Sequence, residues 1–261
     1  MLAESGWRVY AGVRNAVAAA DVAALHAGIE PLTIDVGSTE SVRAAAEAVA
    51  RGVGPGGLQG LVNNAGFGYF LPVECFQEDA WNEVFNVNVT GVLRCTQAFL
   101  PMLRAGERRG RIVNMSSIAG SLSFPLFGAY AGSKFALEAM SDALRFELEG
   151  QGIAVSIIKP GPVVTDIWRR GRDGSYAFEV SEEGRRLYGD LIDKTKRLTE
   201  QSEAEGIPPE DVARVVLSAL TAPSPRSRYV VGTSAPALQV LRRLLPDRLF
   251  NPLISSYYKK M

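Results

Sequence analysis

Short apolar runs alternate with longer stretches of helical periodicity from one end of the chain to the other. The runs predict strands at 8–13, 30–34, 58–62, 111–115, 153–159 and 228–231. Between them, helices are expected at 16–27, at 39–51 behind the capping-type Thr39, at 78–103 and at 128–149. No repeat or long linker breaks the alternation, so 1–261 reads as a single α/β domain whose parallel sheet is covered by helices on both faces. The end of the chain differs in kind. Residues 237–258 form an apolar helical pattern interrupted at Pro246 and Pro252 and bordered by Arg242, Arg243, Arg248, Lys259 and Lys260. Such a tail closes the core of its own domain, covers a neighbouring subunit, or lies on a membrane surface.

Composition narrows the function classes. With 47% hydrophobic and 21% charged residues in 261, the chain has the make-up of a globular protein with a sizeable core. Its 28 Lys and Arg balance 28 Asp and Glu, which leaves no overall basic field of the kind that draws nucleic acid. Cys75 and Cys95 are far apart and lack metal-ligand spacing, so both are expected as reduced, buried thiols in a cytoplasmic protein. The lone histidine, His26, reads as a surface helix residue; one histidine excludes a Ser-His-Asp hydrolase and any multi-histidine metal site built by this chain alone. No run reaches the ~20 apolar residues of a membrane span, and the first residues lack the charged lead and apolar run of a signal peptide.

The most informative chemistry is the pair Tyr130 and Lys134. In a helix, the i,i+4 spacing puts both on one face, where an ammonium sits within useful reach of a phenol that ordinarily loses its proton near pH ~10. Y-x-x-x-K alone is a weak pattern, but it has company. The run Ile112-Val113 ends in Asn114-Met115-Ser116-Ser117, with Ser117 thirteen residues before Tyr130. Asn63-Asn64-Ala65-Gly66 follows the run at 58–62, Asn88 lies in Asn86-Val87-Asn88-Val89, and Lys159-Pro160-Gly161-Pro162-Val163-Val164-Thr165 ends the run at 153–158.

In this order and spacing, the five motifs resemble the short-chain dehydrogenase/reductase family over nearly the whole chain, from about Gly6 to Gly232. The resemblance implies a Rossmann-type, doubly wound parallel sheet in three layers. It also assigns roles. Tyr130 would be the general acid or base at the substrate oxygen, with Lys134 lowering its pKa and binding the nicotinamide ribose. Ser117 would hold the substrate oxygen, the thirteen-residue offset favouring it over Ser116, and Asn88 would position a water linking Lys134 to solvent. Pro160, Gly161, Val163 and Thr165 would embrace the carboxamide end of the cofactor, and Asn63, Asn64, Ala65 and Gly66 would pack along its adenosine half. Asp35 matches the family's adenine-contacting acid, with Val36 beside the ring. Val13 stands where relatives that use the unphosphorylated dinucleotide carry an acid, and Arg14 follows; a guanidinium suits a 2′-phosphate, so NADP(H) is expected over NAD(H).

The same resemblance implies a phosphate-binding turn, T-G-x-x-x-G-x-G, between a first strand and first helix, and the chain opens beyond it. Residues 2–6 read as the last turn of that helix, capped at Gly6, and 8–13 as the second strand. In a sheet of order 3-2-1-4-5-6-7 the second and fourth strands would then stand about 9 to 10 Å apart, with unpaired edges between them. Two accounts follow: a natural start further upstream, or a non-catalytic remnant or partner-binding module unable to hold dinucleotide. Residues 164–208, with Trp168, Tyr176, Phe178 and Tyr188, are expected to form the lid over the substrate. Together with Phe67, Tyr69, Phe70, Phe124 and Phe127 they suggest a roomy apolar pocket for a lipophilic alcohol or ketone, and 124–130 looks like members acting on steroids or retinoids. By resemblance, copies would pair through 78–103 and 128–149 as a homodimer or homotetramer.

Overall fold

The computed structural model describes residues 1–106, 109–169, 171 and 180–260. Its strands are β1 Val9–Val13, β2 Ile29–Thr33, β3 Gly60–Asn63, β4 Arg111–Met115, β5 Ala154–Pro160 and β6 Arg228–Val231. The helices are α1 Ala16–Ala23, α2 Thr39–Val53, α3 Glu78–Phe85, α4 Gly91–Ala105, α5 Gly128–Glu149, α6 Glu182–Glu205, α7 Pro209–Thr221, α8 Ala235–Leu244 and α9 Asp247–Lys260. Strands alternate with helices and every ladder is parallel, the α/β architecture expected from the sequence.

The ladders form two sheets, β1-β2 and β3-β4-β5-β6, and among the described residues none joins β1 to β3. The opening lies where the sequence reading left a strand position unfilled. Ala3–Ser5 make a 3-10 turn closed by Gly6 at φ 82°, a left-handed conformation that glycine adopts without a Cβ penalty. Leu2 and Trp7 then pack onto the apolar group of Val113, Ile158, Val212 and Val216.

A parallel strand buried on both faces must be apolar on both, and β4 shows why its run is continuous. Val113 packs with Val212, Val216, Ala219 and Leu220 of α7, while Ile112 packs on the other face with Leu103 of α4 and Leu148 of α5. Three polar residues in this core form a bonded chain. Asn63 donates to the Asn114 side chain at 2.8 Å, Asn114 to Ser141 at 2.8 Å, and Ser141 to the Leu137 carbonyl at 2.6 Å.

Four details depart from the sequence reading. Helix α1 stops at Ala23 because the chain turns back, and exposed His26 accepts from the Gly28 amide at 2.9 Å in that turn instead of extending the helix. Ser38, not Thr39, caps α2, its hydroxyl accepting from the Ser41 amide at 3.2 Å. The long helix 78–103 is broken into α3 and α4 by a π turn over Asn86–Thr90. Pro246 separates α8 from α9, whereas Pro252 lies within α9.

Candidate active site

Helix α5 carries the central pair. Its buried positions include Ala131, Ser133, Lys134, Leu137, Glu138 and Ser141, so Lys134 is drawn in on the packed face while Tyr130, one turn earlier, stays half-buried at the wall of a cavity. The Lys134 ammonium donates to the Met115 carbonyl at the end of β4, at 2.8 Å, and lies 5.6 Å from the centre of the Tyr130 ring. Burial with few compensating partners lowers the Lys134 pKa to about 8.

For Tyr130 burial pushes the phenol above its ordinary value, and a hydrogen bond with Ser117 pulls the other way. The outcome differs from the expected lowering by Lys134: the ammonium is turned onto the Met115 carbonyl and over the ring, so desolvation dominates. Ser117 is presented by the end of β4 and caps the 3-10 turn Ile118–Gly120, accepting from the Ala119 amide at 3.2 Å. Its neighbour Ser116 is buried with an unpartnered hydroxyl and also lines the cavity, so it is Ser117 that meets the phenol.

The π turn delivers Asn88, which is fully buried. Its Oδ1 accepts from the Phe67 amide at 3.0 Å, and its Nδ2 donates to the Phe67 carbonyl at 2.8 Å and to Ser133 at 2.9 Å. Gly66 passes between Asn88 and Lys134: a Cβ there would stand 3.2 Å from Asn88 Oδ1 and 3.3 Å from Lys134 Nζ. Only a residue without a side chain leaves that space open.

The cavity of ≈ 1260 Å³ gathers Asn64, Gly66, Ser117, Tyr130, Lys134, Pro160, Gly161, Val163 and Thr165, and reaches through the opening between the sheets to Val9, Ile29 and Val62. Other expected residues stand outside it. Asn63 is buried in the sheet, Ala65 is exposed beside it, and Arg14 and Asp35 are exposed at the ends of β1 and β2. Asp35 accepts from the Gly37 amide at 2.9 Å, and Val36 packs against Gly91 while its carbonyl accepts from Arg94 at 3.1 Å.

The far end of the cavity is aromatic. Phe70 and Phe127 lie 4.6 Å apart, Trp168 stacks on Phe70 at 6.1 Å, and Phe124 meets Phe127 edge-on at 6.1 Å. The Trp168 indole donates to the Val163 carbonyl at 2.9 Å, and the 164–208 segment is pinned at its base, where Val164 and Ile207 exchange backbone bonds with Ile207 and Pro162. Phe67 and Tyr69 instead pair with each other at 5.2 Å, Tyr69 donating to Glu83, and neither lines the cavity. Tyr188 bonds Glu74; Tyr176 and Phe178 lie outside the described residues.

Two groups of residues escaped the sequence reading. The tail supplies Leu238, Leu241, Phe250, Leu253 and Ile254 to the cavity. Behind the Ser117 turn, buried Lys159 bonds Ser121 and pairs with Glu138 at 3.2 Å, and Glu138 pairs with Arg228 at 2.9 Å. Neither had a local signal; a lysine before Pro160 and a glutamate one turn past Lys134 become a pair only in three dimensions.

A family model for short chain dehydrogenases matches residues 1–175. The NADPH-dependent 3-dehydrocapnine reductase of Ornithobacterium rhinotracheale is 32% identical over 233 residues, 88% of this chain and 81% of that protein. Retinol dehydrogenase 16 of Rattus norvegicus is 37% identical over 233 residues, 86% and 72% of the two chains. A short-chain dehydrogenase/reductase from Burkholderia phymatum in complex with NAD has a TM-score of 0.76 at 25% identity, covering 93% of this chain and 86% of its own. One from Burkholderia cenocepacia in complex with NADP has a TM-score of 0.68 at 25% identity, covering 94% and 90%. The chain belongs to the short-chain dehydrogenase/reductase family of NAD(P)-dependent oxidoreductases.

Proposed function

We propose that this enzyme interconverts a lipophilic ketone or aldehyde and its alcohol using NADP(H), with Tyr130, Ser117, Lys134 and Asn88 as its working set. The observation that carries the reading is the Tyr130 phenol, kept protonated by burial, bonded to Ser117 and placed where the cavity passes into its aromatic end. A nicotinamide dinucleotide fits the residues present: Gly66, Lys134, the unpartnered Ser116 hydroxyl and the Pro160-Gly161 turn line one cavity. When bound, the cofactor supplies or accepts the hydride.

The chain's own residues handle the proton. Ser117 orients the substrate oxygen toward Tyr130, which donates in the reduction direction; a phenol pushed upward holds that proton at neutral pH. Asn88, locked by Phe67 and Ser133, fixes the wall beside Lys134. The Lys134 ammonium is the working form, and kcat/KM reports the free enzyme. It is therefore expected to fall as pH rises through about 8, where Lys134 loses its charge while Tyr130 keeps its proton. A profile flat to about pH 10 would take the Lys134 charge out of the mechanism.

NADP(H) preference rests on Arg14, exposed at the end of β1 with Val13 before it. The relative that reduces 3-dehydrocapnine with NADPH supports the same choice. Arg14→Ala should weaken NADPH binding by roughly 10- to 100-fold, the scale of a lost charge-assisted hydrogen bond, and leave NADH binding unchanged. Fluorescence titration with both cofactors decides it: equal loss for both removes Arg14 from discrimination, and no binding of either by the parent chain favours a partner-binding module. Substrate class is tested by NADPH oxidation across carbonyls of increasing apolar length. A kcat/KM that does not rise with length would refute the lipophilic assignment.

A further inference from the structure

The inner side of the tail has its partners. Ala235, Leu238, Phe250 and Ile254 pack with Ile118, Leu122, Phe124 and Val230, so α8 and α9 close this end of the core. The outer side does not. Val240 and Leu244 on α8 are 56% and 74% exposed, and Leu249 and Leu253 on α9 are 52% and 51% exposed, each pair one helical turn apart. These two stripes are continuous with the cavity, because Leu241 and Leu253 are exposed and also line it.

Charge identifies the occupant. Residues 235–261 hold five Lys and Arg against the single acid Asp247, in a chain whose acids and bases are equal in number overall at 28 each. Arg242 is spent internally, pairing with Asp247 at 2.9 Å and lying over the Phe250 ring, a brace that fixes α8 against α9. Arg243 and Arg248 are exposed next to Leu244 and Leu249 and flank the apolar stripes. Among the described residues no helix is long and apolar enough to cross a membrane; exposed apolar stripes edged by arginines are the make-up of a face that lies in an interface. A second copy fits less well, since a twofold contact would bring two copies of the same basic face together with Asp247 as the one acid of 235–261 to offset it. Copies have another apolar face available at Leu93, Phe135 and Phe146 on α4 and α5.

We propose that α8 and α9 seat the cavity mouth on an anionic lipid surface, so that an apolar substrate passes from the bilayer between Leu241 and Leu253. Phosphatidylglycerol headgroups would answer Arg243 and Arg248 while the leucines enter the acyl boundary. The test is co-sedimentation of the full chain with phosphatidylcholine vesicles, with and without about one third phosphatidylglycerol. Binding is expected only to the anionic vesicles, with a partition coefficient falling roughly tenfold or more in ~0.5 M salt. Leu244→Gln with Leu249→Gln should lower it at least as far, as should Arg243→Gln with Arg248→Gln; all four residues are exposed, and unchanged thermal melts would verify folding. Failure of the parent chain to sediment with anionic vesicles, or equal binding by either double variant, overturns the proposal. So does a dimer seen by light scattering that the leucine variant abolishes, which would give the face to a second copy. None of these readouts requires turnover, so they stand apart from the substrate assignment.

Discussion

Replacing Tyr130 by phenylalanine is expected to lower turnover by ~10²- to 10⁴-fold, the range a positioned proton donor contributes. The change deletes one oxygen and little else. The ring remains, so the Lys134 ammonium keeps its place 5.6 Å from the ring centre and its 2.8 Å bond to Met115. Ser117 loses its bond to the phenol but keeps the Ala119 amide. Stability should change by no more than ~1 kcal/mol, about one neutral hydrogen bond, and NADPH affinity should stay within a few-fold. Ser117→Ala tests the partner: it removes the group that orients the oxygen but leaves the acid, so its loss should be the smaller. Steady-state NADPH oxidation and urea unfolding of the three proteins separate the cases. A Tyr130→Phe enzyme within tenfold of the parent would show that another group delivers the proton.

Strands and the motifs at their ends were legible because a doubly covered parallel sheet demands continuous apolar runs, and the chain must leave each run with residues suited to a site. Ser117, Tyr130, Lys134, Pro160 and Gly161 line one cavity. The rest depended on information that no local window holds. The apolar period runs unbroken through Asn86–Thr90, so nothing marks the π turn that swings Asn88 inward. Phe67 and Tyr69 look like pocket aromatics, yet they pair with each other beside the cavity, which Phe70 lines. Tail residues are apolar on both sides of α8 and α9, and the pattern alone does not say which side meets Ile118 and which meets solvent. Arg14, Asp35 and Val36 were placed by family likeness, and they stand outside the cavity that Tyr130 and Lys134 line.

The group least visible in sequence carries the largest expected effect on stability. The Lys159 side chain is 2% exposed and that of Glu138 10%; Arg228, Asp142 and Arg145 extend their pair into a chain of alternating charge, and the neutral Ser121 hydroxyl bonds Lys159 at its end. Three site segments meet here: the turn after Ser117 through Ser121, α5 one turn beyond Lys134 through Glu138, and the strand end before Pro160 through Lys159. The two single variants should differ because the pair is not symmetric. Glu138→Gln leaves the buried Lys159 ammonium without a counter-charge, facing neutral oxygens only, and removing one member of a buried pair costs about 3 to 5 kcal/mol. Lys159→Met leaves Glu138 with Arg228 at 2.9 Å, so it should cost less. Combining them removes both charges and leaves Arg228 with Asp142 at 2.6 Å. The double variant is therefore expected to be more stable than Glu138→Gln alone, a sign reversal that additive losses do not give. Urea unfolding of the four proteins measures the cycle. Glu138→Gln within about 1 kcal/mol of the parent, or a double variant weaker than that single, would mean Lys159 is satisfied by Ser121 without its carboxylate.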